Sequence, residues 1–63
     1  MTVMEAAVDM LQHTWDRGKW KDGDRFWVQV RAYREHEVVL RFFNMETGET
    51  YDRVYPLTVA RPE

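Results

Sequence analysis

Apolar residues recur at Met4, Val8, Leu11 and Trp15, the i, i+4, i+7, i+11 spacing of one helix face. Val3 and Ala7 widen that stripe, while Glu5, Asp9, Gln12 and Asp16 make the opposite side polar. Thr2 followed by Glu5 is a capping-box pair, in which the hydroxyl accepts from a free N–H of the first turn and the carboxylate reaches back. Arg17 suits the negative pole of a helix, and Gly18 supplies a left-handed stop. Together these signals predict a helix at about residues 3–17.

Beyond Asp24 the period changes to two. Phe26, Val28, Val30 and Ala32 alternate with Trp27, Gln29, Arg31 and Tyr33; Val38, Leu40 and Phe42 alternate with Val39, Arg41 and Phe43. The β-branched and aromatic content agrees with strands at about 25–34 and 37–45. A three-residue loop at Arg34–His36 would pair Ala32 with Val38, Val30 with Leu40 and Val28 with Phe42. One face is then wholly apolar, and burial sets register. Glu46-Thr47-Gly48 reads as a second hairpin loop, leading to a third strand at about 49–55. Two registers are open to it: Phe43 opposite Tyr51, or Arg41 opposite Asp52 as a charge pair. Pro56 and Pro62 bracket residues 57–61, which suit either a short fourth edge strand or a non-strand extension. Asp22-Gly23 marks a turn in the 19–24 connection, with Trp20 expected to tuck back onto the helix end or the sheet.

The fold class is therefore α+β: one N-terminal amphipathic helix packed on an antiparallel meander, in a single domain spanning 1–63. With one helix available, the Met4/Val8/Leu11/Trp15 stripe is expected to cover the sheet face Phe26, Val28, Val30, Leu40, Phe42. The alternative is that this stripe binds a partner.

The other sheet face should then be exposed and mostly polar. It instead carries Trp27, Arg31, Tyr33, Val39, Arg41 and Phe43, with Tyr51 and Arg53 or Tyr55 joining in one register. Tyr, Trp, Phe and Arg are the types enriched in interface cores and hot spots. Three readings follow: a surface for self-association or a protein partner, a sheet curled into a small barrel that buries both faces, or a stacking platform for single-stranded nucleic acid. Trp27, Arg31, Tyr33, Arg41, Phe43 and Tyr51 are the candidate partner-binding residues.

Composition changes this picture in a few places. A chain of 63 residues has a thin stability margin, and small scaffolds commonly add a disulfide, a metal or a partner. The absence of Cys removes disulfides and thiolate metal sites. Only two His are present, His13 in the helix and His36 between Glu35 and Glu37, and nothing places them together. No cofactor or metal is expected. There is no Ser either, the glycines are isolated turn residues, and no Thr has a His–Asp arrangement beside it, so the reading is non-enzymatic. Net charge is −2, which disfavours an electrostatic nucleic-acid binder.

No apolar run is long enough to span a membrane, and no secretory leader pattern is present, which points to the cytoplasm and to no membrane partner. Seven Arg against two Lys, with no Ile, fits a GC-rich bacterial or phage genome. The function expected is a protein-interaction module: a homodimer, or a small accessory or inhibitor protein. A nucleic-acid binder and a non-catalytic small subunit of a larger enzyme are the alternatives.

Overall fold

The Thr2 hydroxyl accepts the Glu5 N–H at 3.1 Å, and the Glu5 carboxylate accepts the Thr2 N–H at 2.8 Å. This capping box starts the one helix of the computed structural model, which describes residues 1–58. The helix, α1, runs Val3–Asp16. It ends where Gly18 takes φ +70 and the Lys19 N–H donates back to the Thr14 carbonyl at 2.8 Å. Three antiparallel strands follow, β1 (Phe26–Tyr33), β2 (Glu37–Asn44) and β3 (Thr50–Pro56), in the spatial order β1-β2-β3. The architecture is α+β, a helix on one face of an open sheet. Leu57 and Thr58 are not strand, and the remainder of the expected fourth strand lies outside the described residues.

The helix meets the sheet with a different face from the one its apolar stripe suggests. Ala6, Met10 and Thr14 are fully buried against Val38, Leu40, Phe42 and Tyr55, whereas Met4 is 74% and Val8 60% exposed. Two local facts explain the rotation. Ala6 is small enough to let α1 approach the central strand closely. Thr14 behaves as an apolar residue because its hydroxyl is used internally, donating to the Met10 carbonyl at 2.8 Å. Trp20 then closes the end of the layer. Its indole N–H donates to Thr14 Oγ1 at 3.0 Å and to the Leu11 carbonyl at 3.3 Å, and its ring packs between Trp15 and Phe26 at 4.7 Å from each.

Register agrees with expectation over most of the first hairpin, with Val28 opposite Phe42 and Val30 opposite Leu40. Near the turn it departs: Ala32 faces Val39 and Tyr33 faces Val38, because a bulge at Arg31 absorbs one residue. The turn is closed by the Arg34 N–H on the Glu37 carbonyl at 2.8 Å and by an Arg34–Glu37 ion pair. In the second hairpin Arg41 faces Asp52, the charge-pair register.

Asn44 joins two connections at one end of the sheet. Its side chain is fully buried; Oδ1 accepts the N–H groups of Glu46 (2.8 Å) and Thr47 (3.2 Å), while Nδ2 donates to the Lys19 carbonyl (2.9 Å) and to Asp24 (3.1 Å). The β2–β3 turn and the 19–24 connection are thereby fixed to each other. Among the described residues β1 and β3 remain the two edges of an open sheet, so the curled barrel is not formed.

Candidate interaction surface

Side chains alternate across a strand, so the register fixes which residues share the uncovered face. Trp27 and Phe43 lie opposite each other there, with rings stacked at 5.0 Å and an interplanar angle of 28°. Next along β2, Arg41 grips Asp52 with two bonds, Nε–Oδ1 at 2.7 Å and Nη2–Oδ2 at 3.0 Å. Beyond them Val39 faces Val54, which is 55% exposed. The face is thus aromatic at one end and aliphatic at the other, with a paired charge between.

The Arg41–Asp52 pair is electrostatically closed. Arg41's hydrogen bonds hold the Asp52 carboxyl below its ordinary value of 3.8, against the desolvation that opposes them, and the charges of Arg41 and Arg31 add to this. The bond to Asp52 likewise raises the Arg41 guanidinium. A cation tied in this way is not free to meet a phosphate backbone.

Three of the candidate residues, Trp27, Arg41 and Phe43, are brought together on this face. Arg31 sits at the bulge, close enough for its charge to act on Asp52. Tyr33 and Tyr51 are not part of it. The bulge turns Tyr33 to the helix side opposite Val38, and the observed β3 register puts Tyr51 on that side opposite Phe42. There the Tyr51 hydroxyl lies 2.9 Å from His13 Nε2. Arg53 and Tyr55 share the helix side as well, Tyr55 as a core residue.

No protein-family model matches this chain, and no curated protein or solved structure matches it either.

A second apolar surface is the outward flank of α1. Met4, Val8 and Trp15 are exposed along it, and a shallow groove of about 410 Å³ lies between Val8, Leu11, Trp15 and Trp20. Its signal in the sequence is the Met4/Val8/Leu11/Trp15 stripe, of which Met4, Val8 and Trp15 face outward rather than onto the sheet. No helix of the described chain is long and apolar enough to cross a membrane.

Proposed function

We propose that this chain is a non-enzymatic protein-interaction module of the cytoplasm that self-associates through its uncovered sheet face. One observation carries the reading. Among the described residues eight large apolar side chains stand exposed, more than the six hydrophobic residues that make the core. Apolar residues that gather into one exposed patch, as Trp27 with Phe43 and Val39 with Val54 do on the open face, favour an association site there.

Of these eight, Trp27 and Val54 lie on the sheet face, which is favoured because its Trp27/Phe43 anchor is already ordered. Trp27 and Phe43 support each other before any partner arrives, which lowers the entropy lost on docking. The face is also self-complementary. A two-fold axis crossing the strands near Arg41 would lay the Trp27/Phe43 end of one copy over the Val39/Val54 end of the other. Arg41 and Asp52 neutralise each other between those ends, which leaves Arg31 at the bulge as the cation two copies would have to accommodate there. The mechanism would be scaffolding, or occlusion of whatever surface the face covers.

Trp27→Ala and Phe43→Asp test the assignment, measured by solution mass and circular dichroism together. Loss of association with an intact spectrum supports it, and unfolding would make that face core. Val8→Asp is measured beside them: loss of association in that variant alone moves the interface to the flank of α1. Salt-sensitive quenching of Trp fluorescence by a short oligonucleotide would replace the protein partner with single-stranded nucleic acid.

A further inference from the structure

The junction of α1 and β3 gathers side chains that the sheet face does not use. Three donor-bearing groups converge on one atom, His13 Nε2: Arg17 Nε at 2.9 Å, Tyr51 Oη at 2.9 Å and Arg53 Nη1 at 2.8 Å. Arg53 Nη1 is also 3.0 Å from Nδ1. Near-equal reach to both ring nitrogens places it over the imidazole face rather than in the ring plane. Below it, the Arg53 guanidinium carbon lies 5.4 Å from the centroid of the Tyr55 ring.

A neutral imidazole offers one in-plane lone pair. If Nδ1 carries the proton, Nε2 accepts one hydrogen bond and the ring offers the other approaching donors no acceptor. If Nε2 carries it, that proton goes to the Tyr51 oxygen and the Arg17 N–H points at another donor. Either tautomer leaves guanidinium N–H groups in excess of acceptors. Arg25, Arg34 and Arg41 each hold a carboxylate at ion-pair distance; among the described residues Arg17, Arg31 and Arg53 hold none, and of these Arg17 and Arg53 meet at one imidazole. The helix C-terminus attracts a cation and accounts for Arg17. It does not account for Arg53, which β3 delivers to the same imidazole.

We propose that Arg17, Arg53, Tyr51 and His13 form a binding site for a phosphate-type oxyanion, either inorganic phosphate or a phosphomonoester. Such a group supplies several acceptor oxygens in the geometry that guanidinium forks match, together with the negative charge the two arginines lack. Desolvation at the junction, then Arg53 and Arg17, hold the imidazole below its ordinary value. The acidic groups facing it are Asp9 and Asp16 of α1, which act in the opposite sense. From β3 it is faced by Arg53 and the Tyr51 hydroxyl. A bound anion offsets the two arginines, so His13 protonates more readily with the site filled.

The test is an NMR titration of labelled protein with sodium phosphate and, separately, phenyl phosphate, at ionic strength held constant with NaCl. The expected result is saturable movement of the His13 ring signals and the Arg17 and Arg53 Nε–H signals, with the His13 midpoint moving up. Saturation by phosphate alone identifies the free ion as ligand, and by phenyl phosphate alone the monoester; saturation by both assigns the shared group. Arg53→Gln and, on the exposed helix end, Arg17→Gln should each weaken binding about tenfold or more, as loss of a charge-assisted bond requires. Shifts no larger than NaCl produces, or unchanged affinity in both folded variants, would overturn the site.

Discussion

The Thr14 hydroxyl accepts the indole N–H of Trp20 at 3.0 Å while donating to the Met10 carbonyl at 2.8 Å. One small polar side chain thus satisfies itself, fixes a tryptophan and turns the Ala6/Met10/Thr14 row of α1 onto the sheet. The facing of the helix is directly measurable. Met10→Ala should cost about 2–4 kcal/mol, a large share of the roughly 5 kcal/mol a chain this short holds. Val8→Ala, on the outward flank, should change stability by no more than about 0.5 kcal/mol. Urea midpoints of the two variants decide it, and the reverse order would turn the helix over.

Why the sequence misleads at α1 is physical. Periodicity finds the most hydrophobic face, and Met4, Val8, Leu11 and Trp15 are that face. Packing selects the face that fits, and Ala6 and Thr14 fit because one is small and the other has no free polar atom. The strands were more legible, since alternation and burial together set Val28 against Phe42 and Val30 against Leu40. The Arg31 bulge left no pattern to read, and with it went the placement of Tyr33. Tyr51 depended on a choice between two registers, and the Arg41–Asp52 pairing excludes it from the open face. The convergence on His13 could not be seen at all, because Arg17 and Arg53 meet only through tertiary structure.

Asn44 is the polar residue on which the loops depend. Asn44→Ala removes its bonds to Lys19, Asp24, Glu46 and Thr47 and leaves partly buried backbone groups without their protein partner. A loss of roughly 2–3 kcal/mol is expected. Faster amide exchange at Glu46 and Thr47 than at the centre of β2 would confirm the cause.

Tyr55 is buried, with no partner at hydrogen-bond distance for its hydroxyl. Burial, and then the neighbouring Asp9 carboxylate, push that phenol up to about 12 from 10.0. A folded value above the unfolded one means stability is full below pH 10 and is lost as pH rises toward 12. Absorbance titration should show one tyrosine ionising late, and Tyr55→Phe should remove it. That variant should change stability by no more than about 1 kcal/mol, since the hydroxyl has no partner within hydrogen-bond distance and only the neighbouring Asp9 carboxylate to interact with.

At the acid end, Asp52 has the opposite sign. Its folded value is depressed, so the Arg41 pair contributes fully above its ordinary 3.8 and is lost as pH falls through the lower folded value. Glu5, lowered by its bonds to Thr2, behaves likewise, so the wild-type slope is shared. The stability difference between wild type and Asp52→Asn isolates one share. It should be largest between about pH 5 and 7 and shrink below about pH 4, read from urea midpoints.

Sedimentation equilibrium across a wide concentration range tests the central claim most directly. Wild type should rise from 7.7 kDa toward twice that mass as concentration increases. Phe43→Asp should stay at the monomer mass with its circular dichroism unchanged. A wild-type chain that remains monomeric throughout, or a Phe43→Asp chain that dimerises equally well, would contradict self-association through the Trp27/Phe43 face.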